Sequence, residues 1–161
     1  MGQTVFCSPF SIQYVHVNHS IPDAAALYIK TPTAKAFHTG DFKFDLDPPD
    51  KRINTKRLEA ISKQGVNVLL TDSTNSHQEG VGAGEMSVLE PLQQIVEKAK
   101  GRVFITGFSS NFWRIKTVLA ICKKLNRKLF IDGRGLNDSV EIAKNLGYLE
   151  KHQSSIVLPK Q

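Results

Sequence analysis

The sequence predicts an α/β protein built in two successive parts, and three features of it carry that reading. Ser11 to Val17 (S-I-Q-Y-V-H-V) alternates and is β-branched, as a half-buried strand does. From Ala34 to Thr71 the order is strand, amphipathic helix, apolar strand, a β-α-β unit whose two strands run parallel through a right-handed crossover. After a glycine-rich stretch at Ser73 to Gly84, the periodicity settles into helix, strand, helix, strand, helix.

Taken in order, the first strand ends near Val17 and leaves His19 in the following loop. Ala25 to Thr31 reads as a second strand, broken by Pro32-Thr33, because proline removes a backbone donor and presets a turn. Ala34 to Thr39 returns over a similar length and brings Gly40-Asp41 back to the rim where His19 stands. Asp45 to Asp50 (D-L-D-P-P-D) is a loop leading into a helix over 54–64, with Leu58 and Ile61 inward and Gly65 as its stop. Val66 to Thr71 is the strand that completes the β-α-β unit, so Asp72 ends at the same rim as Asp41. Open α/β sheets build their sites outside the carboxyl ends of strands. His19, Asp41 and Asp72 therefore form a candidate constellation.

The second part opens with a helix through Val88, Leu89, Leu92, Ile95, Val96 and Ala99, introduced by Ser87-x-x-Glu90 in the manner of a capping box. Arg102 to Thr106 reads as a buried strand, Ile115 to Leu125 as a helix, Lys128 to Ile131 as a strand and Asp138 to Leu146 as a helix stopped by Gly147. Between the first of these strands and its helix lies G-F-S-S-N-F-W-R. Ser109, Ser110 and Asn111 offer hydroxyls, an amide and helix-terminal N–H groups there, and Arg114 adds a cation, a set suited to a phosphate backbone. An ordinary helix cap by Ser110 or Asn111 is the alternative.

With 161 residues, 40% of them hydrophobic, the chain can bury a core. Cys7 and Cys122 make no disulfide framework; G-Q-T-V-F-C-S-P-F after Met1 has neither the basic nor the apolar region of a signal peptide, and no run approaches the length of a bilayer span. Twenty-one basic against 15 acidic residues give a formal charge of +6, which fits a phosphate-bearing partner, although Lys51, Arg52, Lys56, Arg57 and Lys63 also read as a solvated face. G-V-G-A-G before a helix is not a phosphate loop, since no Lys-Ser/Thr follows and Glu85 sits where a phosphate would lie.

V-N-H-S-I-P-D, H-T-G-D-F-K-F-D and L-L-T-D-S-T-N-S, in this order and spacing, resemble the β-CASP nucleases of the metallo-β-lactamase fold, and within them the ribonuclease J family. The likeness continues through E-M-S-V-L-E-P-L to F-W-R-I and again over Asn126 to Gly135. It implies residues 1–76 as the C-terminal part of the first metallo-β-lactamase segment, an αββα sandwich. Residues 77–161 would be the N-terminal part of a parallel, Rossmann-like β-CASP domain that clamps nucleic acid. The resemblance further implies a cytoplasmic, zinc-dependent ribonuclease acting in RNA processing and decay as exonuclease or endonuclease, with two Zn2+ per site, RNA as partner, no membrane, and a homo-oligomer formed through regions absent here. His19 would be a ligand of one metal and Asp41 the carboxylate bridging both, while Asp72 would orient a ligand or assist proton transfer. Ser109, Ser110, Asn111 and Arg114 would contact RNA.

Two departures qualify the match. Trp113 stands where relatives carry a histidine, so base stacking or simple packing replaces a polar contact, and Gly135 stands where they often carry serine. The principal ligand motif, His-x-His-x-Asp-His, does not occur in these residues, which predicts an internal segment of a larger nuclease that is inactive by itself. A non-catalytic RNA-binding or structural α/β module derived from that fold is the competing expectation.

Overall fold

A computed structural model of the chain describes residues 2–149 and 155–157. The protein is mixed α/β and divides into two compact units, residues 1–84 and 85–161.

The first unit is a five-stranded sheet in sequence order: β1 (Thr4–Cys7), β2 (Phe10–His16), β3 (Ala25–Lys30), β4 (Lys35–His38) and β5 (Val68–Leu70). The first three pairings are antiparallel, with Tyr14 opposite Leu27 and Tyr28 opposite Phe37. The last is parallel, with Phe37 opposite Leu69, and α1 (Thr55–Gln64) makes the crossover. Strand β1, hairpinned onto β2, is absent from the reading of the sequence; it is exposed along its length, so no apolar alternation marks it.

Helix α1 forms where its signals place it. The Asn54 side chain accepts from the Arg57 amide at 3.0 Å, and the helix stops at Gly65. Its inner face delivers Ile61 and Leu58 to a core of Val15, Val17, Ala24, Ala26, Tyr28 and Phe37. Tyr28 is wholly buried, and its hydroxyl donates to the Gly65 carbonyl at 3.1 Å, fixing the end of α1 to the middle of the sheet.

In the second unit a short 3-10 turn at Glu85–Val88 precedes α2 (Leu89–Lys98), followed by α3 (Phe112–Lys124), β6 (Leu129–Phe130), α4 (Arg134–Asn145) and β7 (Ile156–Val157). β6 and β7 pair in parallel around α4, a second and smaller β-α-β unit. Its core gathers Phe112, Trp113, Ile115 and Leu119 of α3 with Ile131, Val140, Ala143 and Leu149. Arg127 closes α2 by donating to the carbonyls of Val96 (2.8 Å) and Gly101. Cys122 is buried, and burial raises its thiol pKa, as suits an inert core cysteine.

Three expectations are corrected here. Arg102 to Thr106 is not a strand: Phe104 is 89% exposed and the segment joins neither sheet. An apolar run becomes a strand only with a hydrogen-bonding neighbour, and β6 and β7 pair with each other over only two residues each. Ser87, expected to open a capping box with Glu90, lies inside the 3-10 turn, and the N-cap of α2 falls one residue later, at Val88, which provides no side-chain cap. The helix expected over 138–146 begins four residues earlier, at Arg134, directly after the bend at Gly133. No helix among the described residues is long and apolar enough to cross a membrane.

Candidate functional site

The carboxyl ends of β4 and β5 meet through one hydroxyl. The Thr39 amide donates to the Leu70 carbonyl at 2.9 Å, and the Thr39 Oγ1 accepts from the Asp72 amide at 2.9 Å while donating to the Gly40 carbonyl at 2.7 Å. Gly40 adopts φ +61°, and a Cβ there would stand 3.0 Å from the Ala25 carbonyl oxygen. Glycine thus lets the chain turn sharply against β3 and present Asp41 outward. On the neighbouring strand, the chain beyond β2 is held by an isolated bridge between Asn18 and Lys43, which sets His19 alongside.

These contacts place His19, Asp41 and Asp72 at one rim of one sheet. The His19 Nε2 lies 3.8 Å from the Asp41 Oδ2, with the Asp41 carboxylate largely in solvent. Asp72 accepts from the Thr74 hydroxyl at 2.6 Å, the Thr74 amide at 2.8 Å and the Phe42 amide at 3.4 Å. Those bonds favour the carboxylate: the Thr74 hydroxyl above all, then the Thr74 amide, hold the Asp72 pKa below its ordinary value against a smaller opposing effect of burial, with Phe42 and the nearby His19 adding to the lowering.

A folded pKa below the unfolded one stabilises the protein at pH above the unfolded value, ~3.9, and that contribution is lost as pH falls through the folded value. Thr74→Val removes the leading hydrogen bond. The Asp72 carboxyl is then expected to titrate at higher pH, nearer the ordinary aspartate range, in a carbon-detected NMR titration; an unchanged midpoint would refute the role given to Thr74.

Among the described residues no group of three or more His, Cys, Asp or Glu side chains is disposed to hold a metal ion. A catalytic zinc centre takes three protein ligands and a water. The donors present at this rim do not by themselves make such a centre.

The turn before α3 lies in the second unit. Asn111 caps α3, its side-chain oxygen accepting from the Arg114 amide at 3.0 Å. The Arg114 Nε donates to the Oε1 of the buried Glu85 at 2.9 Å, so the residue that argued against a phosphate loop is the arginine's ion-pair partner. Trp113 is buried, packed edge-on against Phe112 at 5.2 Å, and packing rather than base stacking is its role. Ser109 and Ser110 remain exposed. Ser139 Oγ donates to the Ser109 carbonyl at 2.9 Å, and a Cβ on Gly135 would come within 2.9 Å of the Ser109 Oγ; glycine at 135 therefore lets this turn close on the first turn of α4.

Residues 100–161 match the family model "Ribonuclease J, beta-CASP domain". Across 92% of its length the chain is 40% identical to ribonuclease J of Corynebacterium glutamicum, covering 21% of that protein. It is 39% identical to ribonuclease J of Sinorhizobium meliloti over 92% of its length and 35% identical to that of Mycobacterium tuberculosis over 97%, covering 27% and 28% of them. By sequence the chain is thus similar to the β-CASP nucleases, through the domain matched over residues 100–161. Within that class the likeness is to ribonuclease J, and the chain spans about a quarter of the length of these curated relatives. A crystal structure of a protein of unknown function from Enterococcus faecalis V583 shares the fold, with a TM-score of 0.63 at 15% identity, over 98% of this chain and 40% of that one.

Thr39, Thr74, the Phe42 amide and Asn18 were not singled out from sequence. Only Thr74 carried a readable signal, since Asp-x-Thr after a strand favours an Asx-type turn.

Proposed function

We propose that the chain is part of a metal-dependent ribonuclease of the ribonuclease J type, hydrolysing phosphodiester bonds in RNA processing and decay. The observation that carries the reading is the convergence of His19, Asp41 and Asp72 at one sheet rim, from three motifs in the order that this family uses. In this reading residues 1–76 belong to a metallo-β-lactamase αββα sandwich and residues 77–161 open the Rossmann-like β-CASP domain. His19 and Asp41 contribute donors to a two-zinc centre, with Asp72 orienting them, and the remaining ligands come from sequence beyond these 161 residues. Ser109, Ser110, Asn111 and Arg114 form the RNA-facing turn, supported by the exposure of the two serines and by the charge of +6. The complete protein works in the cytoplasm and assembles through regions outside this chain.

A second reading, a non-catalytic RNA-binding or structural module, is favoured by one observation: the described residues assemble no set of three metal donors. Both nucleic-acid readings share a test. Single-stranded RNA is expected to bind the chain weakly, with log K falling against log salt by about 0.7 for each phosphate contacted. Binding that ignores salt, or no binding even at low salt, would remove RNA from the function of this portion.

A further inference from the structure

At one end of the bridge that aligns His19 with Asp41, Asn18 stands in a polar cluster with His16, Asp50 and Lys51. Asn18 is 2% exposed, and both of its chain-linking roles are occupied. Its carbonyl accepts from the Lys43 amide at 2.8 Å, which fixes the segment carrying Asp41 and Phe42. Its side-chain amide donates to the Lys51 carbonyl at 2.7 Å and to the Asp50 Oδ1 at 3.1 Å, which fixes the loop leading to α1. His16, two residues earlier and so on the same face of the strand, donates its Nε2 to the same Lys51 carbonyl at 2.9 Å and stands 3.7 Å from the Asp50 Oδ2.

The Asn18 Oδ1 is the buried side-chain atom, among the described residues, with no hydrogen-bond partner. An orphaned buried acceptor opposes folding, because its lost hydration is not replaced. An apolar residue would avoid that cost, but it would leave the Lys51 carbonyl to His16 alone and release Asp50. What the amide contributes is therefore placement rather than core stability.

We propose that Asn18 is a positioning residue for the His19, Asp41 and Asp72 cluster: a clasp whose backbone sets the separation of His19 from Asp41 and whose side chain anchors that arrangement to Asp50 and Lys51. The inference rests on the reading of that cluster as the functional site, but its test needs neither metal nor RNA. Failure of the chain to bind RNA even at low salt would count against a nucleic-acid role for this portion and leave the clasp standing.

Amide hydrogen exchange followed by NMR on the 161-residue chain reads the clasp directly. In Asn18→Ala the Lys43 and Phe42 amides are expected to exchange at least about tenfold faster, while the Val15 and Tyr28 amides inside the sheet stay within about twofold of their original rates. A residue that merely filled the core would accelerate all four together, and that outcome, or an unchanged Lys43, overturns the proposal. Asp50→Ala, at a part-exposed site outside the sheet, decides the matter should Asn18→Ala not fold: a selective acceleration of Lys43 by about threefold supports the clasp, and a uniform change or none overturns it.

Discussion

The 161-residue chain by itself is expected to cleave RNA no faster than a buffer control, while the complete protein, at the length of its ribonuclease J relatives, cleaves RNA in a chelator-sensitive way. Ligand number sets the difference between the two. A zinc that activates water needs three protein donors, a two-metal site needs more, and this rim offers the His19 imidazole and the carboxylates of Asp41 and Asp72, not grouped as a metal site. Metal-assisted phosphodiester hydrolysis accelerates the reaction by at least about a millionfold, so the contrast between the two proteins is large enough to read without kinetics. Asp41→Ala in the complete protein should remove most of that activity. Chelator-sensitive cleavage by the purified 161-residue chain would show that the donors present suffice.

Trp113→Ala is expected to lower the stability of the second unit by about 3–5 kcal/mol, read as a shift of its urea midpoint. Trp113 is buried in the cluster with Ile115, Leu119 and Leu149, and its ring meets Phe112 edge-on at 5.2 Å. Truncation opens a large cavity at the start of α3, where Asn111 and Arg114 fix the turn. A loss of that size approaches the whole stability of a unit this small. Trp113 is also the sole tryptophan, so its fluorescence reports the core: saturating RNA should leave the emission unquenched. Quenching on RNA addition, or a variant as stable as the parent, would restore the stacking role that the packing excludes.

What was legible in the sequence is what periodicity and chain breakers encode. The run Asn54 to Gly65 showed its cap, inner face and stop, and α1 formed accordingly. The β-α-β order around it dictates parallel strands, which is why the sequence alone assigns Asp41 and Asp72 to one rim. The failures have a common origin in pairing that is not local. V-F-I at Val103 to Ile105 has the composition of a strand, yet composition does not supply a neighbour. Thr4–Cys7 lacked an apolar rhythm but had β2 to pair with, and it became a strand. The start of α4 depended on the bend at Gly133 rather than on Asp138. At the site, the titratable residues could be read but their hydrogen-bond partners could not, because Thr39, Asn18 and the Phe42 amide act through geometry that only the folded rim creates.

Thr39 has a dynamic consequence. Its buried hydroxyl is shared between the Asp72 amide and the Gly40 carbonyl, so the loop bearing Asp41 and the loop bearing Asp72 are tied to the same atom. If either loop swings away, it breaks its own bond to that shared hydroxyl. Valine at position 39 would lack both bonds, so Thr39→Val is expected to raise the nanosecond-to-microsecond mobility of the Asp41 and Asp72 loops together, as NMR relaxation would read it.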